Sequence, residues 1–236
     1  MKTFLIARRE ALAYLTSPGA YDIVFVFTAI TGYLFIDGIS RPFPEATVNR
    51  YVGSITFSMV FLAPALTMRL FAEERRLGTL DLLLSSPVSD WQVVLGKYLG
   101  VLSLYALMLL ATVFYAALLY WFGTPDSGPV ASAYLGLFLY GAAALAVGLW
   151  TSSLTANQTV AAILGVGILV LLSITQLAAP ATGGWVATVL EEASLVTRFS
   201  DMRQGVVDIS DVVYYLSVIT LFLFLSVRSV ESKRWV

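Results

Sequence analysis

The sequence predicts an all-α integral membrane protein with six transmembrane helices, and three observations predict it. Of its 236 residues, 58% are hydrophobic and only 12% charged, against about 25% charged in an ordinary soluble domain. Mean hydropathy is +0.84. Crossing a bilayer takes roughly 20 predominantly apolar residues, and six stretches qualify: 22–39, 51–70, 98–122, 131–151, 158–179 and 211–228. No repeat, low-complexity tract or domain boundary interrupts them, so 1–236 reads as one transmembrane domain.

Residues 1–20 come first. Phe4, Leu5, Leu12 and Leu15 alternate with Arg8, Arg9 and Glu10, an amphipathic pattern suited to lying in the membrane interface. An ordinary basic flank is the plainer alternative. Ser17-Pro18-Gly19 ends the segment. No small-residue cleavage site closes the apolar run that begins near Ile23, so that run is expected to be a retained span rather than a signal peptide.

Lysine and arginine orient the spans. With both termini inside, Lys2, Arg8, Arg9, Arg69, Arg75, Arg76, Lys97, Arg228, Lys233 and Arg234 are cytoplasmic, and Arg41, Arg50, Arg198 and Arg203 lie outside. Ten against four favours this topology. The 38–50 loop with Pro42 and Pro44, and the turn "GTPDSGPV" at 123–130, are then external. The turn "SSLTAN" at 152–157 is cytoplasmic, and Asn157 and Gln158 are expected to cap span five.

Between spans two and three lies the densest charge in the chain, a cytoplasmic elbow over 71–97. Glu73, Glu74, Arg75 and Arg76 extend span two into solvent. Gly78 is placed as the C′ residue that takes left-handed dihedrals. Thr79 offers an N-cap hydroxyl for a short helix from Leu80 to about Ser85, which Ser86-Pro87 stops. Ser89-x-x-Gln92 forms a capping box for the next helix, and Lys97 marks where span three enters lipid. Leu80, Leu82, Leu83 and Leu84 cannot all share one face of that short helix. Some must meet the membrane, the rest of the protein or a partner; a capped interfacial connector is the alternative.

The remaining long connection, 180–210, carries apolar residues at helical spacing and is expected to form one or two short helices at the outer face. Asp208 or Ser210 then caps span six. Small residues in "YGAAALAVG" (140–148) and "GVG" (165–167) allow close helix approach.

Whole classes of chemistry are excluded. The chain has no Cys and no His, so thiolate or imidazole metal sites and Ser-His or Cys-His catalysis are absent. Gly96-Lys97 lacks the flanking residues of a phosphate-binding loop: Trp91 stands where the first Gly belongs and Tyr98 where Ser or Thr belongs. The adjacent pairs Glu73/Glu74 and Glu191/Glu192 point about 100° apart on a helix and make poor catalytic dyads. Uphill transporters usually carry ionisable groups at mid-membrane, and none of these spans shows one. No metal site and no catalytic residue is expected in this chain.

The motif Phe-x-Glu-Glu-Arg-x-x-Gly-Thr-Leu-Asp-x-Leu-Leu-x-x-Pro from Phe71 to Pro87, followed by Gly96-Lys97, resembles the cytoplasmic signature of type 2 ABC transporter permeases. "ARREALAYLTSPGAY" is similar to that family's interface helix. The carboxy-terminal "RFSDMRQGVVDISDVVYYLSVITLFLFLSVRSVESKRW" resembles the subgroup associated with gliding motility, to which permeases for nitrous oxide reductase maturation are close.

The resemblance implies a non-catalytic, multi-pass subunit of a prokaryotic inner membrane. It would work as a dimer, homomeric or heteromeric, on a dimer of ABC ATPase subunits that bind ATP and Mg. Thr79 to Ser86 would form the coupling helix, with Glu73, Glu74, Arg75, Arg76, Gly78, Thr79, Leu80, Leu82, Leu83 and Pro87 at the docking site and Arg8, Arg9 and Glu10 on the interface helix. Trp185, Phe199 and Gly205 would belong to re-entrant outer helices closing the pathway. A soluble substrate-binding domain is lacking, so an auxiliary subunit is a possible partner. The substrate is not legible, and no nucleic acid is expected. Two other readings remain: a stand-alone channel, which calls for hydrophilic stripes that are weak here, and a membrane scaffold that relays force without transport.

Overall fold

The structure, a computed structural model, describes residues 2–39, 49–79, 88–122, 127–182, 185, 192 and 194–232. Among these residues the chain forms nine helices: α1 (Lys2–Thr16), α2 (Pro18–Ile39), α3 (Asn49–Thr67), α4 (Arg69–Arg76), α5 (Asp90–Phe122), α6 (Ser127–Leu154), α7 (Gln158–Thr182), α8 (Leu195–Arg203) and α9 (Ile209–Glu231). Six helical segments are long and apolar enough to cross a membrane, and they fall on the six stretches expected. The short helix expected at 80–85, with Leu80, Leu82, Leu83 and Pro87, lies outside the described residues. So do most of the 38–50 loop, residues 123–126 of the external turn and much of 183–193.

Local chemistry sets the ends. Pro18 opens α2 directly after Ser17, at the helical position where a missing N–H costs nothing. The expected capping box closes: Gln92 N donates to Ser89 Oγ at 3.4 Å and Ser89 N to Gln92 Oε1 at 3.3 Å. Span three accordingly starts at Asp90, eight residues before the apolar run that marks it in sequence. Asn157 Oδ1 accepts from Thr159 N and Val160 N, and Asp208 accepts from Ser210 N to cap α9.

α6 is the centre of the bundle. From Leu139 to Leu149 every residue is buried, and α3, α5, α7, α8 and α9 all pack on it. Small residues make this possible, as the sequence suggested. A Cβ on Gly141 would stand 2.2 Å from the Tyr105 ring and one on Gly148 2.1 Å from Thr67 Oγ1. Gly165 likewise meets Pro64, whereas Gly167 faces open space. Four tyrosines bring hydroxyls into this apolar core that each find a carbonyl on a neighbouring helix. Tyr98 donates to Ala142 O, Tyr105 to Leu137 O, Tyr215 to Leu195 O and Tyr14 to Leu66 O, at 2.6 to 3.0 Å. Such bonds satisfy the hydroxyl without water and fix how the helices sit on one another.

Candidate functional site

Two regions concentrate polar groups, one at each end of the bundle. At the first, span two is expected to continue as a helix past Arg69, and it does: Met68 keeps helical dihedrals (φ −53°, ψ −31°) between α3 and α4. The hydrogen-bond ladder is nevertheless interrupted there, because Ser152 of α6 inserts its hydroxyl, accepting from Phe71 N (3.1 Å) and Ala72 N (3.2 Å) and donating to Met68 O (2.9 Å). The consequence is that α4, which carries the charges, is anchored to α6 by backbone groups rather than hanging from the end of α3.

α4 then meets α1 and α5. Lys97 is 1% exposed, and its Nζ lies 2.7 Å from Glu74 Oε1 and 3.1 Å from Glu10 Oε1. Arg9 bridges the same two carboxylates at 3.0 Å and 3.5 Å. Phe71 places its ring 5.3 Å from Lys97 Nζ. Burial works to raise the Glu10 pKa, but the Lys97 charge and the hydrogen bonds from Arg9 and Lys97 outweigh it, holding the carboxyl below its ordinary range. Arg69 donates to Ser17 Oγ at 2.8 Å and stacks 4.7 Å from the Tyr14 ring, pinning the α1–α2 corner to the α3–α4 junction.

Of the residues expected at the ATPase dock, Glu74 is thus in an ion-pair hub. Glu73 lines a shallow cleft of about 240 Å³ with Glu10, Arg69 and Lys97, and Arg76 and Leu77 are exposed. The Arg75 Nε and Nη2 atoms are buried with no hydrogen-bond partner. Gly78 adopts φ +66° as expected. The Thr79 hydroxyl turns back to Glu74 O at 3.3 Å; the helix it is expected to cap lies outside the described residues. Of the interface-helix residues, Arg9 and Glu10 join the hub, and Arg8 is not among its ion pairs. Lys97, read in the sequence as a lipid-entry marker, is instead the buried centre of the cluster. Its charge in an apolar context could have signalled this, but its partners are 23 and 87 positions away.

α1 seats on α5 through a close helix contact. A Cβ on Gly96 would lie 2.6 Å from Ile6 Cγ2, and one on Gly100 2.6 Å from Glu10 Cβ and 3.2 Å from Ala7 O. Gly96-x-x-x-Gly100 is a small-residue spacing that lets backbones approach. Phe4, Leu5, Leu12 and Leu15 remain exposed on the other side of α1, leaving it amphipathic.

At the opposite end of the bundle, α8 folds over α6. Phe199 is buried with its ring 6.1 Å from that of Tyr140, Gly205 turns the chain at φ +95° beside Pro129, and Trp185 is exposed. Arg198 of α8 pairs with Glu192 and, at 3.1 Å, with the buried Asp211 of α9. α3, α6, α7 and α8 enclose a cavity of about 370 Å³ lined by Gly53, Phe57, Tyr140, Ile174, Phe199 and Arg203, among others.

The model of a family described as ABC-2 family transporter protein matches residues 22–190. The probable multidrug ABC transporter permeases YbhR of Escherichia coli K12 and of Escherichia coli O157:H7 are each 33% identical to this chain over 111 residues, 47% of it. That similarity covers 29% of either relative, so the chain matches less than a third of their length.

Proposed function

We propose, from the premise that this chain belongs to the ABC-2 family of transporter proteins, that it is the membrane subunit of an ATP-driven exporter whose engine is a separate ATPase dimer. The observation that carries this reading is the hub at Lys97. It binds α1, α4 and α5 into one charged platform immediately flanking residues 80–87, the segment that the resemblance assigns to ATPase docking. A rigid platform is what such a segment needs. Closure of the ATPase subunits on ATP and Mg would move the docked bend, and Ser152 and the hub would pass that displacement to α3, α6 and α1 as a body. The dock must bind differently in the two states, because only differential affinity shifts a conformational equilibrium.

In this reading the chain has no catalytic role of its own. It pairs with a second permease in a prokaryotic inner membrane, with or without an auxiliary subunit. The gliding-motility and nitrous-oxide-reductase-maturation permeases remain the subgroup that its carboxy-terminal sequence resembles. The test is capture of a co-expressed ABC ATPase. Replacing both Leu82 and Leu83 by Asp is expected to abolish capture while the chain still inserts and elutes as the wild type does. Undiminished capture would remove the elbow as the docking site, and no capture by the wild type would favour a channel.

A further inference from the structure

The cavity between α3, α6, α7 and α8 carries an unbalanced charge. Its wall is mostly apolar: Val60, Val170, Ile174, Val196 and Phe199, with Phe57 and Phe61 exposed at its edge. Phe57 and Phe61 meet edge-to-face at 5.7 Å. At one end lies Arg203, whose guanidinium rests against Gly53; a Cβ there would come within 2.8 Å of Nη1. No carboxylate among the described residues lines the cavity. Among the described residues Arg203 makes no ion pair, and its Nε is buried without a hydrogen-bond partner. Of the described acidic groups nearby in sequence, Glu192 and Asp211 pair with Arg198, Asp208 caps α9, and Asp201 is exposed on α8. Deeper in the wall, Tyr140 is fully buried with Ser173 beside it, whose hydroxyl donates to Leu169 O.

Burying N–H groups without acceptors is unfavourable, and a guanidinium in apolar surroundings attracts an anion far more strongly than it would in water. Gly53 and Phe61 are eight residues apart on α3, about 12 Å at the helical rise. The cavity therefore has a cationic end and an apolar length, within the usual size of a ligand site. We propose that it binds an anionic lipid, with the acidic headgroup on Arg203 in the forked geometry that guanidinium offers phosphate and an acyl chain along Phe57, Phe61, Val170 and Ile174. Neutral lipids lose the headgroup pairing, zwitterionic ones offer the fork a phosphate already offset by their own cation, and cationic amphiphiles are repelled.

The experiment uses the purified full chain in phosphatidylcholine nanodiscs with phosphatidic acid carrying a diazirine on its acyl chain. Labelled peptides are mapped by mass spectrometry. Labelling is expected within 53–61 and 170–174, at least tenfold above that from a phosphatidylcholine probe with the same chain. Arg203→Gln is expected to remove that advantage and Arg203→Lys to keep most of it. Gly53→Leu, which fills the guanidinium's resting place and leaves its charge, is expected to weaken labelling as well. Excess glycerol phosphate is not expected to compete. Equal labelling by the two probes, labelling confined to residues outside α3, α6, α7 and α8, full retention in a folded Arg203→Gln variant, or displacement by glycerol phosphate would each overturn the proposal. No ATPase enters the assay, so its failure leaves the subunit assignment untouched.

Discussion

Lys97 is the side chain whose removal should cost this protein most at the end of the bundle where α1, α4 and α5 meet. Its ammonium is almost fully buried between Glu10 and Glu74, and deleting one partner of a buried pair leaves the other charge uncompensated. Lys97→Met is therefore expected to lower stability by roughly 3 kcal/mol, the low end for buried pairs because both carboxylates keep some water; thermal unfolding in detergent measures it. The same hub sets a pH dependence. Glu10 has a folded pKa below its ordinary value, so its contribution is complete above the unfolded pKa and is lost as pH falls through the lowered folded value. Melting temperature should hold steady from neutrality to about pH 5 and drop below about pH 4, less steeply in Glu10→Gln. At this scale the caps were legible in the sequence. Gly78, Ser89, Asn157 and Asp208 act on backbone groups within three positions of themselves, so residue type and spacing suffice. Lys97 was not, because nothing local names partners on two other helices.

Helices were legible to the extent that lipid alone dictates them. Six apolar stretches became six spans, and the small residues of 140–148 became the centre of the bundle because only they admit α3 and α5 so closely. What escaped was the interruption of the hydrogen-bond ladder between α3 and α4. The apolar pattern runs through Met68, and the hydroxyl that enters the ladder there is on α6, 84 positions away. Ser152→Ala leaves Phe71 N and Ala72 N without that acceptor, at an expected cost of about 1–3 kcal/mol; faster amide exchange confined to 68–72 would confirm that the loss is local, and unchanged exchange would show that α4 is held otherwise. The seat of α1 is similarly a matter of two glycines. Gly100→Leu has no room against Ala7 O, which is backbone and cannot swing aside. The distance between spin labels on α1 and α5 is expected to widen and the Glu10–Lys97 pair to part, whereas Leu99→Ala, at an exposed position of α5, should change neither.

The whole molecule has polar machinery at both ends, and the functional reading depends on which end faces the ATPase. The expected topology, with ten Lys and Arg inside against four outside, would turn the hub inward, since basic residues near span ends are retained on the cytoplasmic side. Lys97 is neutralised by two carboxylates once folded, but orientation is set during insertion, before that hub exists, so it counts. Arg198 pairs with acidic groups on its own side, and acidic residues contribute little to the rule, so it counts against. The absence of cysteine makes the question open to a clean measurement. Single cysteines at Thr79, beside the docking segment, and at Asp201, exposed on α8, are treated in intact cells with a maleimide that cannot cross the membrane. Asp201→Cys is expected to react at once and Thr79→Cys only after permeabilisation. The reverse pattern would put the hub outside, where no ATPase could reach it, and would carry the lipid cavity to the inner leaflet without changing its chemistry.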